Sequence, residues 1–85
     1  MNKCKCSSFV PIEAFKSIYE FEEFKTMINR MVEQNDIVEV FVEEKYSIID
    51  VYERWFKCSC GSIWRFVYPD FPFKGMFIKV EKNKL

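Results

Sequence analysis

The chain changes its hydrophobic period near residue 36. Before that point apolar residues recur at Phe21, Phe24, Ile28, Met31 and Val32, the i, i+3, i+4 stripe of an amphipathic helix. Ser17-Ile18-Tyr19-Glu20 reads as a capping box ahead of the stripe: the Ser17 hydroxyl accepts from the Glu20 amide, and the Glu20 carboxylate reaches back to the Ser17 amide. Asn35-Asp36 stops the pattern. The spacing thus predicts a helix over 18–34, with Glu22, Glu23, Lys25, Asn29, Arg30 and Glu33 on its outer face.

From Ile37 the period is two. Val38, Val40 and Val42 share one face of a first strand, and Ile37, Glu39 and Phe41 the other. Glu43-Glu44-Lys45 makes a polar turn. A second strand over 47–57 is rich in β-branched and aromatic residues, and Ser59-Cys60-Gly61 supplies a tight turn. The third, 62–68, alternates Trp64, Phe66 and Tyr68 against Ile63, Arg65 and Val67. Pro69 and Pro72 lack the amide a central strand needs, so 69–75 is a loop and 76–80 a last short strand. The expected fold is α+β: one amphipathic helix packed on a four-stranded antiparallel sheet that runs over 37–80. The helix is expected on the valine face of the first strand, with Phe24 and Ile28 meeting Trp64 and Phe66.

Length limits this to a single domain over 1–85, with a cysteine-bearing arm at 1–11 that Pro11 ends. So short a chain has a small core, which a metal or disulfide often reinforces. Residues 1–9 carry no apolar stretch of a secretion signal, and no apolar run approaches the roughly 20 residues of a membrane span. The expected location is therefore cytoplasmic, in a reducing compartment, with no membrane partner.

Four cysteines stand in two pairs, Cys4 with Cys6 and Cys58 with Cys60. Together they offer the four thiolates of a closed, tetrahedral structural Zn2+ site that would pin the arm to the hairpin. The hairpin pair, followed by Gly61, looks like a zinc-ribbon knuckle, although only one residue separates its cysteines. A disulfide between arm and hairpin is the alternative. Reduced thiols, with Cys58 packed as a small hydrophobe, are a third reading. The sequence holds no histidine to activate a nucleophile, no glycine-rich phosphate loop and no Ser-His-Asp set, so no enzyme is expected.

Net charge is zero but uneven. Residues 13–53 hold eleven carboxylates against four cations, whereas residues 54–85 hold seven cations against two carboxylates. The acidic half suggests a docking surface for a basic partner. The basic half offers a rival, a zinc-ribbon-like nucleic-acid binder using Arg54, Lys57, Arg65, Lys74 and Lys79, with Trp55, Trp64, Phe66 and Tyr68 stacking on bases. Zero net charge argues against that rival, and those rings also suit a small core.

The stretch "YERWFKCSCGSIWRFVYPDFPFKGMFIKV" (residues 52–80) resembles a group of small bacterial proteins with a tryptophan-cysteine hairpin and a Pro-Asp-x-Pro-Phe loop. Members look like immunity proteins of polymorphic or contact-dependent growth-inhibition toxin systems. In that pattern two residues usually separate the hairpin cysteines. The resemblance implies a protein that binds and neutralises a cognate toxin domain, commonly a nuclease with a basic cleft. Glu20, Glu22, Glu23, Glu33, Glu39, Glu43 and Glu44 are then the expected contacts. A protein-interaction module with some other partner is the blander alternative.

Overall fold

The computed structural model describes residues 9–45, 51–70 and 73–80. The arm cysteines Cys4 and Cys6, the start of the expected second strand and Pro72 lie outside the described residues.

Helix α1 spans Ile18–Glu33. Its first turn forms as the local sequence dictates: the Glu20 amide donates to Ser17 Oγ at 3.1 Å. The Glu20 carboxylate turns back one residue further than expected and accepts from the Lys16 amide instead of that of Ser17. At the other end Asn35 takes a left-handed φ of 65°. The Asp36 amide bonds the Met31 carbonyl (2.9 Å) and the Asn35 amide that of Val32 (3.0 Å). This is a Schellman stop, closed by a residue type whose short polar side chain tolerates that φ.

Four strands follow, β1 (Ile37–Val40), β2 (Glu53–Cys58), β3 (Ile63–Val67) and β4 (Met76–Lys79), hydrogen-bonded as neighbours in chain order. All pairings are antiparallel, with Ile37 opposite Cys58, Phe56 opposite Trp64 and Phe66 opposite Phe77. The register puts Ile37, Phe56, Cys58, Trp64, Phe66 and Phe77 on one face, and these pack with Phe15, Phe21 and Ile28 in the main core. Phe24 and Ile28 join Trp64 and Phe66 there, as the pattern predicts.

One expectation is overturned. Helix α1 contacts β1, but on the Ile37 face and not on the valine face, and Val38 is 58% exposed on the opposite side. The reason is register. Ile37 shares its face with the large rings of β2, β3 and β4, and covering those rings removes far more apolar surface from water than covering three valines.

The sheet's other face is also partly dry. Val51, Val67 and Met76 form a second cluster with Phe73 and Ile78 against it. The outer edge of β4 is closed by the residue that follows the arm: Ile12 and Phe77 exchange both amide-to-carbonyl bonds at 2.8 Å. No helix among the described residues is long and apolar enough to cross a membrane.

Candidate functional site

Three groupings carry the chemistry singled out by the sequence: the cysteine hairpin, the carboxylates, and the cations of β2 and β3.

The β2–β3 turn is a three-residue loop. The Cys58 amide donates to the Ser62 carbonyl (2.9 Å), and the Gly61 amide donates to the Cys58 carbonyl (2.8 Å). Gly61 has φ 95°, which glycine adopts without the steric cost other residues incur. The two cysteines on this loop have unlike settings. Cys58 is buried in the main core, whereas Cys60 is exposed and its thiol donates to the Ser62 hydroxyl at 3.2 Å. No group of three or more metal-ligating side chains occurs among the described residues. Arm residue Phe9 packs edge-on against Trp64 and Phe77, with ring centroids 5.4 and 5.1 Å away. The arm therefore reaches the sheet at β3 and β4, on the face that also holds Cys58.

The seven candidate carboxylates fall into different roles. Glu20 belongs to the helix start. Glu22 pairs with Lys25 at 3.1 Å. Glu39, at the β1 edge, takes a two-pronged contact from Arg54, Nη2 to Oε1 at 2.8 Å and Nε to Oε2 at 3.1 Å. Glu23, Glu33, Glu43 and Glu44 are exposed. An acidic surface therefore exists on α1 and after β1, but it is thinner than the sequence tally suggests.

The cations are rearranged more strongly. Arg54 is turned into the protein. Besides gripping Glu39, its Nη1 donates to Asn29 Oδ1 (3.0 Å) and to the Tyr68 hydroxyl (3.1 Å), and the guanidinium lies 4.9 Å from the Phe56 ring centre. Four of its five N–H donors are thus engaged inside the protein. Its pKa is raised above an already very basic value, chiefly by the Glu39 hydrogen bonds, against the opposing effect of burial. Asn29, expected on the outer helix face, is half-buried in this network.

On the other face, Glu53 is buried, a residue the pattern did not single out. It accepts from Trp55 Nε1 at 2.6 Å and lies 3.5 Å from Arg65 Nε, while the Arg65 guanidinium covers the Trp55 ring at 5.3 Å. Trp55, Trp64 and Phe66 are all buried, so three of the four rings of the rival base-stacking platform are core. Lys57, Lys74 and Lys79 remain exposed.

The structure also brings forward two residues that no sequence argument selected. Phe41 is 83% exposed and Tyr52 is 61% exposed. Alternation could not distinguish them from core aromatics, because exposure at a strand end depends on what packs over it. The chain matches no protein-family model, no curated protein and no solved structure.

Proposed function

We propose that the chain is an immunity-type binding protein, which neutralises a cognate toxin domain by docking on a basic surface of it. One observation carries the reading. Residues 13–45, which form α1 and β1 and the segments beside them, hold nine carboxylates against four cations. Glu23 and Glu33 stand exposed on α1, and Glu44 stands exposed after β1. An acidic layer on a rigid scaffold suits a nuclease-like basic cleft, since complementary charge speeds encounter and fixes orientation. Arg54 and Arg65 are turned inward, which takes two of the five candidate cations from the nucleic-acid alternative while Lys57, Lys74 and Lys79 stay exposed.

The same reading gives the four cysteines a structural task. Cys4, Cys6, Cys58 and Cys60 together would hold one Zn2+ and fasten the arm to the hairpin. Phe9 supports it, because it packs on Trp64 and Phe77 of β3 and β4 and only Ser7 and Ser8 separate it from Cys6. Such a tether spans up to about 10 Å, whereas the Cys58 and Trp64 positions are cross-strand diagonal neighbours roughly 7–8 Å apart.

The test is growth of cells producing the C-terminal domain of the secreted protein encoded beside this chain. Co-expression should rescue growth. The double variant Glu23→Lys with Glu33→Lys removes no internal bond and should keep the fold while slowing association with the toxin domain. Added salt should reproduce part of that slowing by screening. Failure of the unaltered chain to rescue growth, or the lack of any toxin-like neighbour, overturns the proposal.

A further inference from the structure

The start of α1 and the segment between β3 and β4 border a cavity that the neutralising role does not use. It holds about 300 Å3 and is lined by residues of both cores. Phe15, from the main core, forms one wall, and Phe73, which packs on the Val51 cluster, forms another. Ile18 and Pro69 complete the apolar lining. These walls are held from behind. The Phe15 amide donates to the Lys74 carbonyl (3.3 Å), and Asp70 and Phe73 exchange both backbone bonds at 2.9 Å. The Phe15 ring is braced by Phe21, Phe24 and Phe66, with centroids 5.6–6.0 Å away. Lys16 and Lys74 also line the cavity; both are exposed, and neither is in an ion pair among the described residues. No described carboxylate joins them in the lining. The helix start is already served, since Ser17 Oγ accepts from the Glu20 amide and the Glu20 carboxylate accepts from the Lys16 amide.

We propose that this cavity binds a small aromatic carboxylate, a single ring on a short chain that ends in the acid group. Shape and charge each restrict the ligand. Ligand pockets run from about 300 to 1,000 Å3, so this one is at the small end, where a one-ring molecule fits and a drug-sized one does not. The Phe15 and Phe73 walls favour a ring over an alkyl chain, because aromatic pairs gain from offset and edge-on contact beyond the area they bury. Two ammonium groups with no carboxylate beside them in the lining select an anion and repel a cation. The ligand touches both the helix start, through Lys16 and Ile18, and the β3–β4 segment, through Pro69, Phe73 and Lys74. It therefore ties together two segments far apart in sequence, and binding only to the folded chain raises stability. This site does not rest on the neutralising role.

The probe is hydrocinnamate, added to the full chain and followed by calorimetry and by the rise in melting temperature. Its dissociation constant should be about 0.1–1 mM, in keeping with its few non-hydrogen atoms. Hydrocinnamamide, which keeps the ring and loses the charge, should bind about tenfold more weakly, and phenethylammonium, of opposite charge, more weakly still. Lys16→Gln with Lys74→Gln should lose about tenfold in affinity for the carboxylate. Without ligand that double variant should melt as the parent does, because both side chains are exposed. Lys57→Gln with Lys79→Gln removes the same charge at β2 and β4, away from this lining, and should bind as the parent does. No binding at millimolar probe would show that the cavity takes no such ligand. Equal binding of the amide would show that the lysines select nothing, and equal losses in the two double variants would show that net charge alone attracts the probe. Each of these three results overturns the proposal.

Discussion

Truncating Phe66 tests the core most directly. The residue is 0% exposed in the middle of the sheet, and five rings surround it: Phe15, Phe21, Phe24, Tyr68 and Phe77, with centroids 5.0–6.1 Å away. Phe66→Ala removes the transfer free energy of a buried ring and leaves a cavity that so many flat, mutually braced neighbours cannot easily fill. The expected cost is about 3–5 kcal/mol. At the usual ~0.05–0.15 kcal/mol per residue, a domain of this length has about 4–13 kcal/mol in total, so the loss ranges from a quarter of its stability to all of it. With a urea slope of about 1.5 kcal/mol/M, the midpoint should fall by about 2–3 M. Tryptophan emission provides the assay, because Trp64 stacks on Phe77 at 5.1 Å and Trp55 is buried, so both should shift on unfolding. Phe41→Ala is the matched control: the same side chain at an exposed site should change stability by less than about 0.5 kcal/mol. Equal midpoints for Phe66→Ala and the parent would refute the packing described here, and would return that ring to the list of possible binding surfaces.

Two further outcomes are expected. Gly75 and Gly61 both have positive φ, but a Cβ on Gly75 would stand 2.9 Å from the Val67 carbonyl oxygen and 3.0 Å from the Pro69 nitrogen, whereas one on Gly61 meets nothing within 4 Å. Gly61→Ala should therefore cost only the backbone strain of about 1–2 kcal/mol. Gly75→Ala should cost clearly more, read as a larger drop in melting temperature; equal drops would refute the crowding at Gly75. Protein purified under reducing conditions should contain close to one zinc per chain by elemental analysis, and chelation should lower its melting temperature, because metal binding feeds into folding free energy. Four thiols that all react in the native, metal-free protein would end the zinc proposal, and a mass lower by two hydrogens per bridge in unreduced protein would establish the disulfide instead.

The elements were legible because their causes are local. Ser17 and Glu20 start the helix, Asn35 and Asp36 stop it, and all the bonds concerned span five residues or fewer. The alternation in β3 likewise predicts which residues share a face, since successive side chains must point to opposite sides. Alternation names two faces but not which of them the helix covers. That was settled by the register of β1 on β2, which placed Ile37 opposite Cys58 and sent Val38 to the other side. The site was less legible for the same reason. Glu39, Arg54 and the rings of Tyr52 and Tyr68 are polar or amphipathic residues whose roles depend on partners far along the chain. Arg54 meets residues 14, 15 and 25 positions away, and these contacts make it an internal brace, which the sequence pattern did not show. Sequence alone determined the kinds of elements and the charge that the chain carries. The tertiary structure decided which face is buried, which charges are consumed internally and which rings are left in water, because those outcomes follow from contacts between segments and not from the pattern within any one.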